Sequence, residues 1–160
     1  MTTMKSRALR IAAWSNIAIA AAHAIGLIWA WSFFRAVGID HEMRELATQG
    51  AALPYVLTVT TAAVFLVFGL YALSGAGDLR RLPLLRTALA AIAAIYLFRA
   101  TLYGGIAALL DGDGPQIAFA AIALIIGLCY AGGAIAYRRL DDGAPNLRVG
   151  ADPRTSHAAG

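Results

Sequence analysis

The sequence predicts an all-α fold, a polytopic membrane protein whose four transmembrane helices pack as a bundle. The first observation is composition, since the 160 residues are 60% hydrophobic and 14% charged, against roughly 45–50% and 25% in soluble domains. The second is distribution, because the apolar residues are concentrated in four long runs. The third is the positive charge, which flanks these runs and lies mainly on one side of the predicted membrane.

Four runs are long enough to cross a bilayer, and they define a transmembrane domain over residues 11–137. The predicted spans cover residues 11–34, 53–74, 87–110 and 116–137. The first run is longer than the apolar region of a signal peptide and no small-residue cleavage site follows it, so we expect an uncleaved helix.

The segments outside the spans are polar. A basic N-terminus, residues 1–10, precedes the first span. Residues 35–52 form a loop in which Asp40 could cap a short surface helix that Gly50 ends, acting either as a lid or as a tether on the headgroups. The C-terminal segment, residues 138–160, is rich in Gly, Ala and Pro, and we predict that it is disordered and cytoplasmic.

The basic residues predict the orientation. Only Arg35 and Arg44 fall on one side of the predicted membrane, whereas ten fall on the other. These ten are Lys5, Arg7, Arg10, Arg80, Arg81, Arg86, Arg138, Arg139, Arg148 and Arg154. By the positive-inside rule both termini are cytoplasmic. The pI of 9.6 therefore reflects basic residues that flank the predicted spans and orient them in the membrane. Nucleic acid is not a predicted partner.

The sequence lacks the motifs of common enzyme classes. Its one cysteine, Cys129, excludes an internal disulfide, a CxxC redox pair and a cysteine metal cluster. There is no phosphate loop, nucleophile elbow or paired-carboxylate site. Haem ligation by two histidines is poorly supported, since the other histidines, His41 and His157, fall in opposite aqueous compartments. We therefore predict a non-enzymatic protein without a cofactor.

An arginine lies close to the middle of the third predicted span. A charge at that depth costs roughly 2.5–3.5 kcal/mol on insertion scales, so Arg99 demands an explanation. His23 follows Arg10 by thirteen residues, just as Arg99 follows Arg86, so the sequence places His23 and Arg99 at one depth. Because helical side chains lean toward the N-terminus, we expect both to lean toward the cytoplasmic side.

These two residues are the centre of the candidate ligand-binding site. The other candidates are polar residues that share a helix face or a depth with them. The full set is Arg99, His23, Asn16, Tyr96, Tyr103 and Thr61. No Asp or Glu lies in any of the four runs, so three partners for Arg99 remain open: neutral acceptors of the same chain, a small anion or lipid headgroup, or a group on another chain. For His23, a helix–helix hydrogen bond and a proton relay or metal ligand both remain.

The runs also suggest an internal repeat and close helix packing. The second and fourth runs align without gaps at a shift of 58, and Arg10 and His23 match Arg86 and Arg99 at a shift of 76. This pattern predicts two tandem helical hairpins, with chance similarity as the alternative. Small residues recur four apart at Gly26–Ala30, Ala90–Ala94, Gly127–Ala131 and Gly132–Ala136. Such pairs serve either packing within the chain or homodimerisation.

Two stretches carry a family resemblance. The sequence FGLYALSGAGDLRRLPLLR of residues 68–86, followed by YLFR at residues 96–99, resembles small uncharacterised four-helix inner-membrane proteins of bacteria. Size and helix count are also similar to those of DoxX-type proteins and small multidrug exporters. The resemblance implies a multi-pass protein of the bacterial inner membrane and names no activity. The exporters use a glutamate in the first helix, where this chain has Asn16 and His23, which argues against their proton-coupled mechanism.

Three hypotheses of function follow. The first is a non-enzymatic accessory or small binding protein whose polar centre at His23 and Arg99 orders the bundle or holds a ligand. Its partners would be the lipid bilayer and either a second copy of the chain or another membrane protein. The second is a transporter or channel for a small anion or polar solute, with Arg99 as the attracting charge. The third, an enzyme or electron carrier, has the weakest support because nucleophile, metal and haem ligands are missing.

Overall fold

The computed structural model describes residues 2–102, 105–112 and 114–142, and every regular element in them is helical. The helices are α1 (Thr2–Gly26), α2 (Ala30–Ala36), α3 (Asp40–Gln49), α4 (Leu53–Ala76), α5 (Leu85–Thr101), α6 (Gly105–Asp111) and α7 (Gly114–Asp142). Three helical segments are long and apolar enough to cross a membrane: Ser6–Ala36, Leu53–Ala76 and Gly114–Tyr137. The all-α class and the membrane-protein prediction are thus confirmed at this level.

The first predicted span is divided by a short break. Instead of one helix over residues 11–34, α1 and α2 are joined by a 3-10 turn at Leu27–Trp29. The ring of Phe33 lies so close to Gly26 that a Cβ there would be 2.7 Å from it. Glycine therefore allows the ring to pack against the end of α1, and a kink at such a position has an identifiable cause.

The third predicted span is also divided. We predicted one helix over residues 87–110, whereas α5 ends at Thr101, Leu102 lies in a turn, and α6 begins at Gly105. A Cβ on Gly105 would collide with the main-chain carbonyl of Ala100. The chain thus approaches the end of α5 more closely than any side chain permits, and glycine is a poor helix former. With 17 residues, α5 alone is shorter than the roughly 20 that a span needs.

The helices pack as a ring of four. Helix α1 packs against α4 and α7, while α5 packs mainly against α7 and more lightly against α4. Small buried residues such as Ala12, Ala13 and Ala72, each 0% exposed, allow the helix axes to come close. Large apolar side chains cover the outside, as in Ile28 and Leu128, which suits a bundle surrounded by lipid.

The loop over residues 35–52 contains a helix, as predicted, but with a different cap. Helix α3 begins at Asp40, but its N-cap position is Ile39 and no side chain caps it. Asp40 instead pairs with Arg44 at 3.8 Å. The guanidinium of Arg44 also lies 5.2 Å from the ring centroid of Trp31. These contacts hold α3 beside α2 at this end of the bundle.

The C-terminal segment begins later than predicted. Helix α7 continues to Asp142, so residues 138–142, predicted to be disordered, are helical. The apolar run ends at Arg138-Arg139, which is why the prediction ended the helix there. A helix that extends beyond the bundle does not need an apolar face, so α7 can continue past this point. The rest of the predicted tail, residues 143–160, lies outside the described residues.

The connection between α4 and α5 is tied back onto the bundle. Gly77 ends α4 in the left-handed region, with φ +87°, and the main-chain N–H of Asp78 donates to the carbonyl of Leu73 at 3.0 Å. The guanidinium of Arg10 donates two hydrogen bonds to the Asp78 carboxylate, at 2.8 and 2.6 Å. This bidentate pair joins the beginning of α1 to the end of α4.

The Arg10–Asp78 pair predicts a specific pH dependence. The hydrogen bond from Arg10 holds the pKa of Asp78 below its ordinary value, and the attraction of the two charges acts in the same direction. The resulting stability is fully present above the unfolded-state pKa, about 3.9, and is lost as the pH falls through the lower folded-state pKa. We expect Asp78→Asn to be less stable than the parent at neutral pH, and the difference to vanish in acid. Denaturant titrations from pH 7 down to about pH 2, below the unfolded-state pKa, measure it. A difference that persists unchanged at the acid end of that range would contradict this contact.

Candidate functional site

A buried asparagine lies at the centre of the bundle. Asn16 of α1 is 0% exposed, and Ala12, Ala13 and Ala20 are buried beside it on the same helix. Its Nδ2 donates to the carbonyl of Ala12 at 2.8 Å and to the hydroxyl of Tyr130 at 3.2 Å. Its Oδ1 accepts a hydrogen bond from the hydroxyl of Tyr96 at 2.6 Å. Both amide hydrogens and the amide oxygen therefore have partners, as a polar group in a dry interior requires.

Two tyrosines extend this network to all four of the packed helices. The hydroxyl of Tyr130 on α7 donates to the carbonyl of Phe68 on α4 at 2.7 Å, while Tyr96 on α5 bonds Asn16 on α1. The two tyrosine rings stack with centroids 6.1 Å apart and planes 11° from parallel. Tyr130 is 0% and Tyr96 is 7% exposed. We call Asn16, Tyr96 and Tyr130 the central network.

The hydrogen-bonding capacity of the central network is used within the protein. Among the described residues, no buried side-chain nitrogen or oxygen is left without a hydrogen-bond partner. Such a network holds helices in register, because in hydrocarbon each broken hydrogen bond leaves a group that water cannot reach. Its neutral amide and phenol groups offer no strong metal ligand. The described residues also contain no cluster of three His, Cys, Asp or Glu side chains that could hold a metal ion.

Arg99 follows Tyr96 of the network by three residues in α5 and is hydrogen-bonded to α7. It is in the last turn of α5, and its Nη2 donates to Oε1 of Gln116, in the first turn of α7, at 3.2 Å. We expected the side chain to lean toward the N-terminal end of its helix, and the structure places the guanidinium at the opposite end. The carbonyl groups at a helix C-terminus favour a cation, and a long side chain can extend to the helix end.

His23 has its contacts in another part of the bundle. Its Nδ1 lies 2.8 Å from the carbonyl of Ile19 in its own helix. Its ring lies 5.8 Å from that of Phe33 and 5.5 Å from that of Phe65, measured between centroids. These partners belong to α1, α2 and α4, whereas the hydrogen bond described for Arg99 is made to α7. His23 and Arg99, which we predicted to form one polar centre, thus have their described contacts on different helices. The buried hydrogen-bond network described above is built on Asn16.

The remaining candidates divide between the network and other places. Asn16 and Tyr96 are brought together as members of the central network. Thr61 donates to the carbonyl of Leu57, four residues earlier in α4, at 2.8 Å, so its hydroxyl serves its own helix. Tyr103 lies outside the described residues.

Sequence reasoning missed Tyr130 and Gln116. A signal for Tyr130 was present, because residues 96 and 130 are equally far from residue 113, at the centre of the turn between the last two spans. In an antiparallel hairpin, positions equidistant from the turn lie side by side. Gln116 was counted only as the first residue of the fourth span, although its amide oxygen is the acceptor that Arg99 uses.

The chain was compared with protein-family models, curated proteins and solved structures. No family model, no curated protein and no solved structure matches this chain. The resemblance to small four-helix inner-membrane proteins therefore stays a prediction.

Proposed function

We propose that the chain is an integral protein of the bacterial inner membrane that crosses the bilayer four times and acts as a non-catalytic accessory or small binding protein. The observation that carries this proposal is the central network. Asn16, Tyr96 and Tyr130 fill the middle of the bundle and use their polar groups on one another and on the main chain. A centre of this kind supports a scaffold role better than a reactive site or a solute path.

The four-span topology rests on the pairing of helices. The packing of α5 against α7 supports a hairpin in which α5 and α6 together make the third crossing. The density of basic residues at the end where α1 starts supports cytoplasmic termini. On this topology, a binding partner meets the protein through its lipid-facing surface or its ends.

The tandem hairpin repeat has support from two glycines that match at the shift of 58. A Cβ on Gly69 of α4 would lie 2.8 Å from Ile17 of α1, and a Cβ on Gly127 of α7 would lie 3.1 Å from Tyr96 of α5. Each glycine thus permits the close approach of the two helices within its own hairpin. Equivalent positions doing the same work in both halves are what a duplicated hairpin produces.

The alternative is a transporter or channel for a small anion or polar solute. The position of Arg99 favours it, because a half-buried guanidinium at the end of α5 is placed where an anion could approach. The filled centre at Asn16 weighs against it, since a solute would have to displace the hydrogen bonds of the central network. We therefore place the accessory role first.

Two substitutions at Arg99 separate these proposals. Arg99→Ala removes the hydrogen bond to Gln116, and we expect it to lower the free energy of unfolding in detergent by about 1 kcal/mol. Arg99→Lys keeps the charge and loses the planar fork. In liposomes, we expect the parent and both variants to pass chloride and inorganic phosphate no faster than protein-free vesicles. Flux above that level in the parent, reduced in a folded Arg99→Lys variant, would overturn the accessory role in favour of transport.

A further inference from the structure

The loop between α4 and α5 presents charge and apolar surface together. Residues 79–84, which we call the basic loop, read LRRLPL. Arg80 and Arg81 are both exposed. Leu79 and Leu84 at the two ends of the loop are 42% and 78% exposed. Leu84 has φ 52°, a left-handed conformation that turns the chain into the start of α5.

The main chain of the basic loop is hydrogen-bonded to side chains near the end of α4. The hydroxyl of Ser74 donates to the carbonyl of Arg80 and accepts from the N–H of Leu82, each at 3.0 Å. The hydroxyl of Tyr71 donates to the carbonyl of Pro83 at 3.4 Å. These bonds fix the loop before any ligand arrives, so binding would cost little ordering of the main chain.

Arg81 is also held at its guanidinium end. Its Cζ lies 5.7 Å from the ring centroid of Tyr137, and the Tyr137 hydroxyl donates to the carbonyl of Gly75 at 3.1 Å. Tyr137 is the last residue of an apolar segment able to cross a membrane, and aromatic residues at such ends lie at the level of the lipid headgroups. The guanidinium of Arg81 is therefore positioned at the depth of the phosphates.

The nearby carboxylate does not cancel this charge. Asp78 accepts both hydrogen bonds of Arg10 and so is already paired. Within the parts of the chain whose side chains are described, neither Arg80 nor Arg81 forms a salt bridge with an acidic residue. Arg7 lies exposed on the adjoining end of α1 and adds to the positive potential.

We infer that the basic loop binds the phosphate of an anionic phospholipid. Guanidinium groups bind phosphate oxygens in a bidentate manner, and Arg80 and Arg81 supply two. The exposed leucines at both ends of the loop would enter the acyl region below that phosphate, which free phosphate or an acidic peptide would not require. This inference concerns a different part of the bundle from the central network and goes beyond the proposed accessory role.

Native mass spectrometry of the full chain tests the inference. The protein is released from detergent micelles doped with equal amounts of phosphatidylglycerol and phosphatidylcholine. We expect one phosphatidylglycerol to remain at collision energies that strip phosphatidylcholine. We expect Arg80→Gln/Arg81→Gln to reduce the lipid-bound fraction at least fivefold. The unfolding temperature of this variant is measured alongside, and both side chains are exposed, so it should stay close to that of the parent.

A matched control is available at the opposite end of the bundle. Arg44 lies over Trp31 much as Arg81 lies over Tyr137, so Arg35→Gln/Arg44→Gln removes the same net charge. Because Arg44 also pairs with Asp40, the unfolding temperature of this variant is measured as well. We expect its lipid-bound fraction to stay within twofold of the parent. If both double variants lost the same fraction of bound lipid, net charge alone would explain the effect, and the inference would be overturned.

Two further arms make the result decisive. If Arg80→Gln/Arg81→Gln fails to fold, Arg80→Gln alone serves, because the hydrogen bond described for Arg80 uses its main-chain carbonyl. At least a twofold loss of bound phosphatidylglycerol in that single variant is expected, and an unchanged fraction would refute the site. Complete displacement of phosphatidylglycerol by millimolar inorganic phosphate would show a site for a free anion and overturn the lipid assignment.

Discussion

Replacing Asn16 with Leu should lower the free energy of unfolding by about 2 kcal/mol, because the change leaves a buried hydroxyl without its acceptor. The hydroxyl of Tyr96 donates to Oδ1 of Asn16 and lies where water does not reach. Tyr130 also loses a donor but keeps its bond to the carbonyl of Phe68. Unfolding by SDS titration in mixed micelles measures the change.

The double variant makes this prediction specific. Asn16→Leu/Tyr96→Phe removes both partners of the broken hydrogen bond, and replacing both by apolar groups is far less costly than orphaning one. We expect the double variant to be at least as stable as Asn16→Leu alone. Thr61→Val is the control, because the hydrogen bond described for its hydroxyl lies within α4, and it should change stability by less than about 0.5 kcal/mol. Additive losses in the double variant would refute the coupling between α1 and α5.

Substituting Gly69 with Ala should destabilise the bundle by about 1–3 kcal/mol, the range for adding a methyl group to a filled interface. The new Cβ would lie 2.8 Å from Cγ1 of Ile17 and 3.1 Å from the carbonyl oxygen of Ala13. Main chain and a β-branched side chain cannot move aside easily, so α1 and α4 must separate. Unfolding in the same micelles reports the effect.

Gly132→Ala is the matched control for Gly69→Ala. Nothing lies within 4 Å of the position that its Cβ would take, so only helix propensity changes, by up to about 1 kcal/mol in the stabilising direction. We therefore expect the two glycine variants to shift stability in opposite directions. If both shifted it the same way, the close approach of α1 to α4 at Gly69 would be wrong.

The sequence predicts the ends of a helix well where residues of that helix determine them. Helix α4, for example, starts and ends within about two residues of the predicted span, because Pro54 suits a first turn and Gly77 suits a left-handed end. The breaks in the first and third spans could not be predicted in this way. They depend on what packs against Gly26 and Gly105, and those neighbours are set by the tertiary structure.

The candidate site was likewise predictable from the sequence only in part. Asn16 was identified because it shares a helix face with His23, and Tyr96 because it shares one with Arg99. The centre itself was predicted at His23 and Arg99. The free-energy cost of burying a charge does not show where the charged group lies when the side chain is long. The guanidinium of Arg99, for example, reaches the first turn of α7. The side chain of Asn16 is short, so its amide group lies close to its own main chain. Its hydrogen-bond partners, Tyr96 and Tyr130, lie at the same place.

The distribution of helix contacts also sets an order of assembly. Most packing lies within two pairs, α1 with α4 and α5 with α7, and the first pair is complete in sequence at residue 76. During synthesis that pair can associate in the bilayer before α5 has left the ribosome, as N-terminal units generally do. The central network needs Tyr130 near the end of the chain. On the proposed four-span topology, the network therefore forms last and joins two helix pairs that are already inserted.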